Sequence, residues 1–554
     1  MRTLKFLKIS FTIVIVLLTI SCKNKKYSRI QVTPLFLSKK SPLEKGELKN
    51  WDFKDIELDT LSGISLNRAY DSLLTNKKGK KVVVAVIDMV VDVNHKGIKN
   101  FLWWNKNETT NNNIDDDKNG YIDDINGWNF LSNNHGGNNE FVNYEYTRLI
   151  RKFKPYFEGK DSTGLPIKDS LNYIVYQRAK KKYNQRQKYA KEEVDYINMV
   201  IKGKTQAEDE LRKYFKDKEY TIKDLDSVKK LYPDNKVLQK MANRKSNFIK
   251  WDYTDEYVAD YKLKTEERLK KLLNLNHNDR SIQGDNPEDL KDIKYGSPLF
   301  SKVNTKLLDH GTKMAGIIVN VGQKEEIKIM PLAISAYGDE HDKDIALAIR
   351  YAVDNGANVV NMSFAKEFSL HPEWVLEAIK YAEQKNVLIV SGAANDGENI
   401  DGKENAWFPN DHGYFDYTEV SDNFLKVGSS GIYLDEKLKS SFSNYGKGEV
   451  DLFAPGEYIY TTTPNNEFDF IQGTSASTAI TSGVAALIYS YYPSLTASQI
   501  KHILMDSGLE YTFEVSTPTK EDKNKTTPFN QLSKSGKVLN AYNALIMADS
   551  ISRN

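Results

Sequence analysis

The chain of 554 residues contains a single cysteine, Cys22, so no disulfide can form within it and pairing says nothing about redox compartment. Histidines number only eight, so a His beside a motif carries weight. Net charge is nearly lacking: +3 is too small to argue for nucleic acid or an acidic polymer as partner. Long apolar runs are scarce. The most pronounced, FTIVIVLLTI at 11–20, is too short to span a bilayer comfortably. There is no internal repeat and no long low-complexity tract, which excludes solenoid and fibrous classes.

What is present begins with a secretory pattern. Arg2, Lys5 and Lys8 precede the apolar run, as in a signal peptide over 1–21. Leu18-Thr19-Ile20-Ser21-Cys22 resembles a bacterial lipobox, with the usual Leu one place early and a bulky Ile20. That resemblance implies lipidation of Cys22, export to the cell envelope and attachment to a membrane. Residues 22–60 then read as a tether and N-terminal segment, with Trp51 and Phe53 as its anchors onto a folded body.

From Lys81 the pattern changes. KVVVAVID (81–88) is a continuous β-branched run, the mark of a strand buried on both faces of a parallel sheet. IKIMPLAIS (327–335), NVVNMSF (358–364) and VLIVSGAAN (387–395) repeat it. Between them lie helical patterns. Ile345, Ala348, Ile349, Ala352 and Val353 share one stripe before Asn355-Gly356, and Pro372 suits the first turn of another helix. Such alternation predicts an α/β fold, a doubly wound and mainly parallel sheet flanked by helices, with sites at the carboxyl ends of strands. The stretch 142–294 is instead rich in Lys, Glu, Asp and Tyr, with Leu211, Tyr214 and Phe215 at helical spacing and Thr221 as a cap. It is expected to be a mainly α-helical insertion whose charge runs are solvated faces. The sheet domain would occupy 61–141 and 295–548, with a tail at 549–554.

Three residues stand in distinctive settings. Asp88 ends the first strand, His310 opens HGTKMAGII (310–318), and Ser475 lies in GTSASTAITSG (473–483) at a helix start. Singly they read as a turn residue, a loop residue and an N-cap. Together, AVIDMVVDVNH, HGTKMAGII and GTSASTAITSG resemble the three active-site blocks of the subtilisin-like serine peptidases, whose triad runs Asp, His, Ser. NMSFA (361–365), SGAANDG (391–397), SSFSNYG, VDLFAPG and SGKVLNAYNAL extend the resemblance, which covers roughly 50–140 and 295–548.

The resemblance implies a serine endopeptidase acting on protein or peptide substrates through an acyl-enzyme, with no cofactor required for the chemistry. By it, His310 is the base for Ser475, Asp88 orients His310, and Asn395 joins the Ser475 backbone N–H in an oxyanion hole. Ser363, Phe364, Ala365, Gly392, Ala393 and Ala394 would line the substrate site. The pattern departs from the family at Met89-Val90, where Ser/Thr-Gly is usual, and at Ala476-Ser477-Thr478-Ala479, where Met-Ala-Ser-Pro is usual. Between Cys22 and the first strand there is little room for the family's folded prodomain. A binding or scaffolding protein on the same fold, or an esterase or amidase using the same triad, are the alternatives.

DDDKNGYIDD (115–124) matches the front of a calcium loop, through Asp115, Asp117, Asn119, the Tyr121 carbonyl and Asp123. Position twelve is Asn126 rather than a bidentate Glu. A structural calcium and an Asx-rich turn closed by Gly120 both fit that stretch.

Overall fold

The computed structural model of the chain describes residues 28–30 and 41–553, apart from 164, 216–219, 301–302, 324–325, 403–405 and 416. The expected signal peptide and Cys22 lie outside the described residues.

In chain order the strands are β1 (Val82–Asp88), β2 (Trp128–Asn129), β3 (Ile327–Ala333), β4 (Val359–Met362), β5 (Leu388–Gly392), β6 (Phe424–Ser430), β7 (Leu452–Pro455), β8 (Ile459–Thr463), β9 (Glu467–Ile471), β10 (Leu509–Glu510), β11 (Glu514–Ser516), β12 (Thr526–Pro528) and β13 (Lys537–Val538). Nine of them form one sheet in the order β10-β13-β7-β6-β5-β4-β1-β3-β2. Every pairing in it is parallel except β10 with β13. Two hairpins, β8 with β9 and β11 with β12, stand apart.

The helices are α1 (Lys45–Leu48), α2 (Leu66–Arg68), α3 (Glu145–Phe157), α4 (Ile167–Leu211), α5 (Ile222–Leu231), α6 (Lys236–Lys250), α7 (Asp255–Glu267), α8 (Asp309–Gly322), α9 (Asp342–Asp354), α10 (Pro372–Gln384), α11 (Thr474–Tyr491), α12 (Ala497–Ser507) and α13 (Ala541–Ile551). Strand β1 shows why its sequence lacks a polar face. Val82, Val84 and Val86 enter a core with α8, α11, α12 and α13, whereas Val83, Ala85 and Ile87 enter a second core with α9 and α10. Both faces are covered, so each position must be apolar. Trp51, Phe53 and Ile56 join the first core, and Trp51 Nε1 donates to the Glu457 carbonyl at 2.9 Å.

The region 142–294 is mainly helical and is built along α4, whose 45 residues make a rod of roughly 70 Å. Three small cores succeed one another on it. Val175, Tyr176 and Ala179 meet Tyr146, Phe157 and Phe368; Ile197 and Val200 meet Phe248 and Val258; Leu211 meets Leu225, Val228, Leu238 and Ala242. Thr221 caps α5 in a reciprocal capping box with Asp224.

Buried charge ties the rod's base to the sheet domain. Lys366 Nζ lies 2.8 Å from Asp342 Oδ1 and 3.2 Å from Glu145 Oε1, and donates to the Glu340 carbonyl at 2.6 Å. Arg148 donates to the carbonyls of Asp339 and Glu340 at 2.8 and 3.0 Å and pairs with Glu145 and Asp279. Arg280 grips Asp344 through two bonds of 2.6 and 3.0 Å. Burial pushes the Glu145 carboxyl up to about 6 despite Arg148 and Lys366 beside it. Removing Lys366 takes a cation from two buried carboxylates, leaving Glu145 with Arg148 and Asp342 with no other ion pair among the described residues. Lys366→Met is expected to lower unfolding free energy by about 3–5 kcal/mol at neutral pH, read from the denaturant midpoint. The loss should shrink toward acid pH as the stranded carboxyls take up protons. A loss below about 1 kcal/mol would mean that they reach water.

Candidate active site

Asp88 is the last residue of β1, in register with Ala333 of β3. It is 1% exposed. Its Oδ1 accepts the Met89 N–H at 2.7 Å and faces His310 Nδ1 at 2.7 Å; Oδ2 is buried without a hydrogen-bond partner among the described residues. With Nδ1 against a carboxylate, that nitrogen carries the proton and Nε2 is left as the acceptor. Burial drives the His310 pKa down, but the charge of Asp88 and its hydrogen bond outweigh burial and hold it above the ordinary value.

The sequence explains this meeting locally. His310 is in the first turn of α8, and Gly311 lets that turn touch the chain after Asp88: a Cβ at 311 would lie 2.2 Å from the Met89 carbonyl oxygen. Val90, where the family pattern expects Gly, is fully buried with Phe300 and Ala333, and Leu308 packs against them. Its side chain thus joins the aspartate turn to the segment that delivers His310.

Ser475 is in the first turn of α11, whose N-cap is Gly473 rather than the serine. Gly473 has φ +145°, a conformation that favours glycine, and a Cβ there would sit 3.6 Å from Asn395 Nδ2 and 3.7 Å from the Ser475 nitrogen. It keeps open the space between two hydrogen-bond donors. Asn395 Oδ1 accepts the Thr474 N–H at 2.9 Å and its hydroxyl at 3.1 Å, which fixes the amide and leaves Nδ2 without a partner among the described residues. Ala394 before it has φ +73°, unusual for a residue with a side chain and found where the surroundings fix the backbone.

Asp88 and His310 are joined, but the third residue is turned away. Ser475 Oγ donates to the Ser363 carbonyl at 2.9 Å, and Ser363 Oγ donates to the Ser475 carbonyl at 3.0 Å. Among the described residues no hydrogen bond links Ser475 to His310. Of the expected substrate-lining residues, Ser363 therefore touches Ser475 directly. Lys366, just beyond Phe364 and Ala365, pairs through its backbone with Phe408 at 2.8 Å in both directions. Ala393 is fully buried in the main core, and Gly392 keeps β5 close to α11: a Cβ there would lie 3.3 Å from Thr478 Oγ1.

In the acidic loop, one oxygen each from Glu108, Asp115 and Asp117 lies within 4.8 Å of the others. That all-oxygen set suits a hard divalent cation. Asp123 turns both oxygens to the N–H groups of Asn112 and Asn113, at 3.1 and 2.9 Å. Asn119 Oδ1 accepts the Tyr121 N–H at 2.8 Å in an Asx turn. Glu108 lies outside the loop motif, so no spacing rule pointed to it. Burial raises its carboxyl above the ordinary range, against backbone N–H groups of Asp116, Asp117 and Asp123 that lower it.

Residues 172–535, more than half of the chain, match the model of the Subtilase family. The chain belongs to the subtilase family. The matched span begins within α4, after Asp88 and before His310 and Ser475. A cell wall-associated protease of Bacillus subtilis (strain 168) is 33% identical over 214 residues, which are 37% of this chain and 22% of that protein. Subtilisin DY of Bacillus licheniformis is 29% identical over 213 residues, 37% of this chain and 72% of that protein. The major intracellular serine protease of Bacillus subtilis (strain 168) is 32% identical over 191 residues, 33% and 55% respectively. The subtilase thus spans between about a fifth and about three quarters of these relatives. Among solved structures, a cold adapted subtilisin-like serine proteinase matches with TM-score 0.32 and 25% identity over 42% of this chain and 74% of that one.

Against burial, the charge and hydrogen bond of Asp88 do most to hold the His310 pKa up, with a smaller contribution from Asp309 that Lys313 opposes, so the sign of removing Asp88 follows. In Asp88→Asn, burial outweighs what Asp309 still contributes, and the His310 pKa is expected to fall below the ordinary value of about 6.5. Imidazole NMR titration reads this; an unchanged midpoint would show that another group sets it.

Proposed function

We propose that this subtilase is a serine endopeptidase in which Asp88, His310 and Ser475 act as one unit. The observations that carry the reading are the 2.7 Å contact of a buried Asp88 with His310 and the place of Ser475 in the first turn of α11, a helix packed against α8, which carries His310. A serine hydroxyl needs a base to become a nucleophile at neutral pH. Rotation of Ser475 Oγ away from the Ser363 carbonyl toward His310 Nε2 would exchange one hydrogen bond for another, at a cost of about 1 kcal/mol or less.

In this mechanism Ser475 Oγ bonds to the carbonyl carbon of the substrate while its proton passes to His310 Nε2. The carbonyl oxygen gains charge and is met by Asn395 Nδ2 and the Ser475 N–H, which flank the space kept free at Gly473. The C–N bond then breaks, and His310 returns the proton to the leaving amine. Water repeats the sequence to release the acyl group and restore the serine hydroxyl. Asp88 stays ionised, holding the imidazole tautomer and stabilising the imidazolium.

Ser363 and the chain through Ala365 form the wall nearest to the nucleophile, with Phe364 reaching the opposite core. Export, lipid attachment through Cys22 and a structural calcium held by Glu108, Asp115 and Asp117 belong to the same reading. Because His310 titrates above the ordinary value, peptide hydrolysis should fall on the acid side from a pH above about 6.5.

Labelling of the purified chain with a serine-directed fluorophosphonate tests the assignment. Native protein is expected to label, and Ser475→Ala to lose the adduct with peptide hydrolysis down by about 10⁶. Equal labelling of both would reject Ser475, and no labelling or turnover would favour the scaffold alternative.

A further inference from the structure

The outer end of the inserted rod carries a charge imbalance that the cleft does not use. Residues 211–250 hold twelve Lys and Arg against five Asp and Glu, a local net charge of +7 in a chain whose total is +3. Some of these cations are satisfied: Lys213, Lys229 and Lys245 pair with Glu210, Asp226 and Glu208. Lys223, Lys230, Lys236, Lys240 and Lys250 are exposed; none makes an ion pair or side-chain hydrogen bond among the described residues, though the charges of Lys230 and Lys250 act on Asp226. Lys236, Lys240 and Lys250 fall within one stripe of α6.

The same lobe exposes large apolar side chains at its turn. Leu231 is 74%, Tyr232 47% and Val237 57% exposed, all within the seven residues from the end of α5 to the start of α6. They are not an accident of an unfolded tip. Leu211, Leu225, Val228, Leu238 and Ala242 form a core beneath them, and Thr221 and Asn235 cap the two helices.

Each half of this pattern alone is ordinary. Lysines without partners are well solvated, and a scattered exposed Leu needs no explanation. Their conjunction on one folded turn is specific. A polyanion such as nucleic acid would satisfy the lysines but leave Leu231 and Val237 in water. A membrane interface takes both, with apolar side chains among the headgroups and lysines at the level of the phosphates. Among the described residues no helix is long and apolar enough to cross a membrane, so the contact would be peripheral.

We infer that the lobe formed by α5 and α6 docks on an anionic phospholipid surface, with Leu231, Tyr232 and Val237 entering the headgroup layer and the exposed lysines facing lipid phosphate. Beyond Lys182, which pairs with Glu367 of the sheet domain, α4 runs on to Leu211 in the core of the lobe, a span of roughly 44 Å. This holds whether or not Ser475 is a nucleophile, because no residue of the cleft takes part.

A full-length chain carrying Cys22→Ser and Asp234→Cys offers one thiol at the exposed turn for an environment-sensitive dye. Residues 11–20 could hold the chain on any vesicle, so the dye reports the lobe alone. On phosphatidylcholine vesicles with about 30 mol% phosphatidylglycerol the emission should shift to the blue at low salt, and high salt should reverse it. Lys230→Glu with Lys236→Glu and Lys240→Glu should weaken the response more than about tenfold. Leu231→Ser with Val237→Ser should weaken it at unchanged helicity. An equal shift on pure phosphatidylcholine, or no shift on the anionic vesicles, would overturn the inference. So would a response to heparin that matches the vesicles and ignores Leu231→Ser, which would make the lobe a polyanion site.

Discussion

A carboxylate at the end of a central strand, closed off from water and reached by one imidazole, sets the arrangement of this molecule. Among the described residues Asp88 has two hydrogen-bond contacts, the Met89 N–H and His310, and its second oxygen has none. Burying a charge so sparsely satisfied is costly. The surrounding structure is organised to keep its one imidazole partner in place. Gly311 allows the first turn of α8 to lie against the strand end, Val90 packs beneath that turn, and Leu308 ties the preceding segment to the same small core. The consequence is an imidazole of fixed tautomer whose proton affinity is raised.

The other half of the site depends on α11. Its N-terminus opens at the carboxyl end of the sheet, because the helix packs lengthwise on β4, β5, β6 and α8. Gly473 gives the chain its sharp entry into the helix, and Thr474 pins the Asn395 amide so that its NH₂ is left free. Cleft and inserted rod are not independent. The segment that leaves β4 through Ser363 continues into Lys366, and Lys366 is held by Glu145 of α3 and by Asp342. The base of the rod and the wall of the cleft share one buried ionic network, so the rod cannot be regarded as a detachable ornament.

Much of this was legible in the sequence. Continuous β-branched runs gave the central strands because both faces of the sheet are covered, and the apolar stripe from Ile345 to Val353 gave α9, although that helix is buried on nearly every side, with only Arg350 and Asp354 reaching outward. Asp88, His310 and Ser475 were found through local motifs, which report a strand end and helix starts but no distance between them. What stayed hidden depends on long-range contacts. Lys366 reads as a surface lysine, yet its side chain is wholly buried. Val90 reads as a departure from the family pattern, yet it fills a core formed with Phe300, far along the chain. Glu108 precedes the calcium-like loop and follows no spacing rule. The orientation of Ser475 toward the Ser363 carbonyl lies in one side-chain torsion, which no residue pattern encodes.

The central claim is that three side chains contributed by β1, α8 and α11 form one chemical unit. Peptide-hydrolysis kinetics of His310→Ala, Ser475→Ala and the double variant test it most directly. Members of one unit fail together, so the double variant should be no slower than the worse single variant within about threefold. Losses that multiply would mean that the two residues act separately, and would contradict the account.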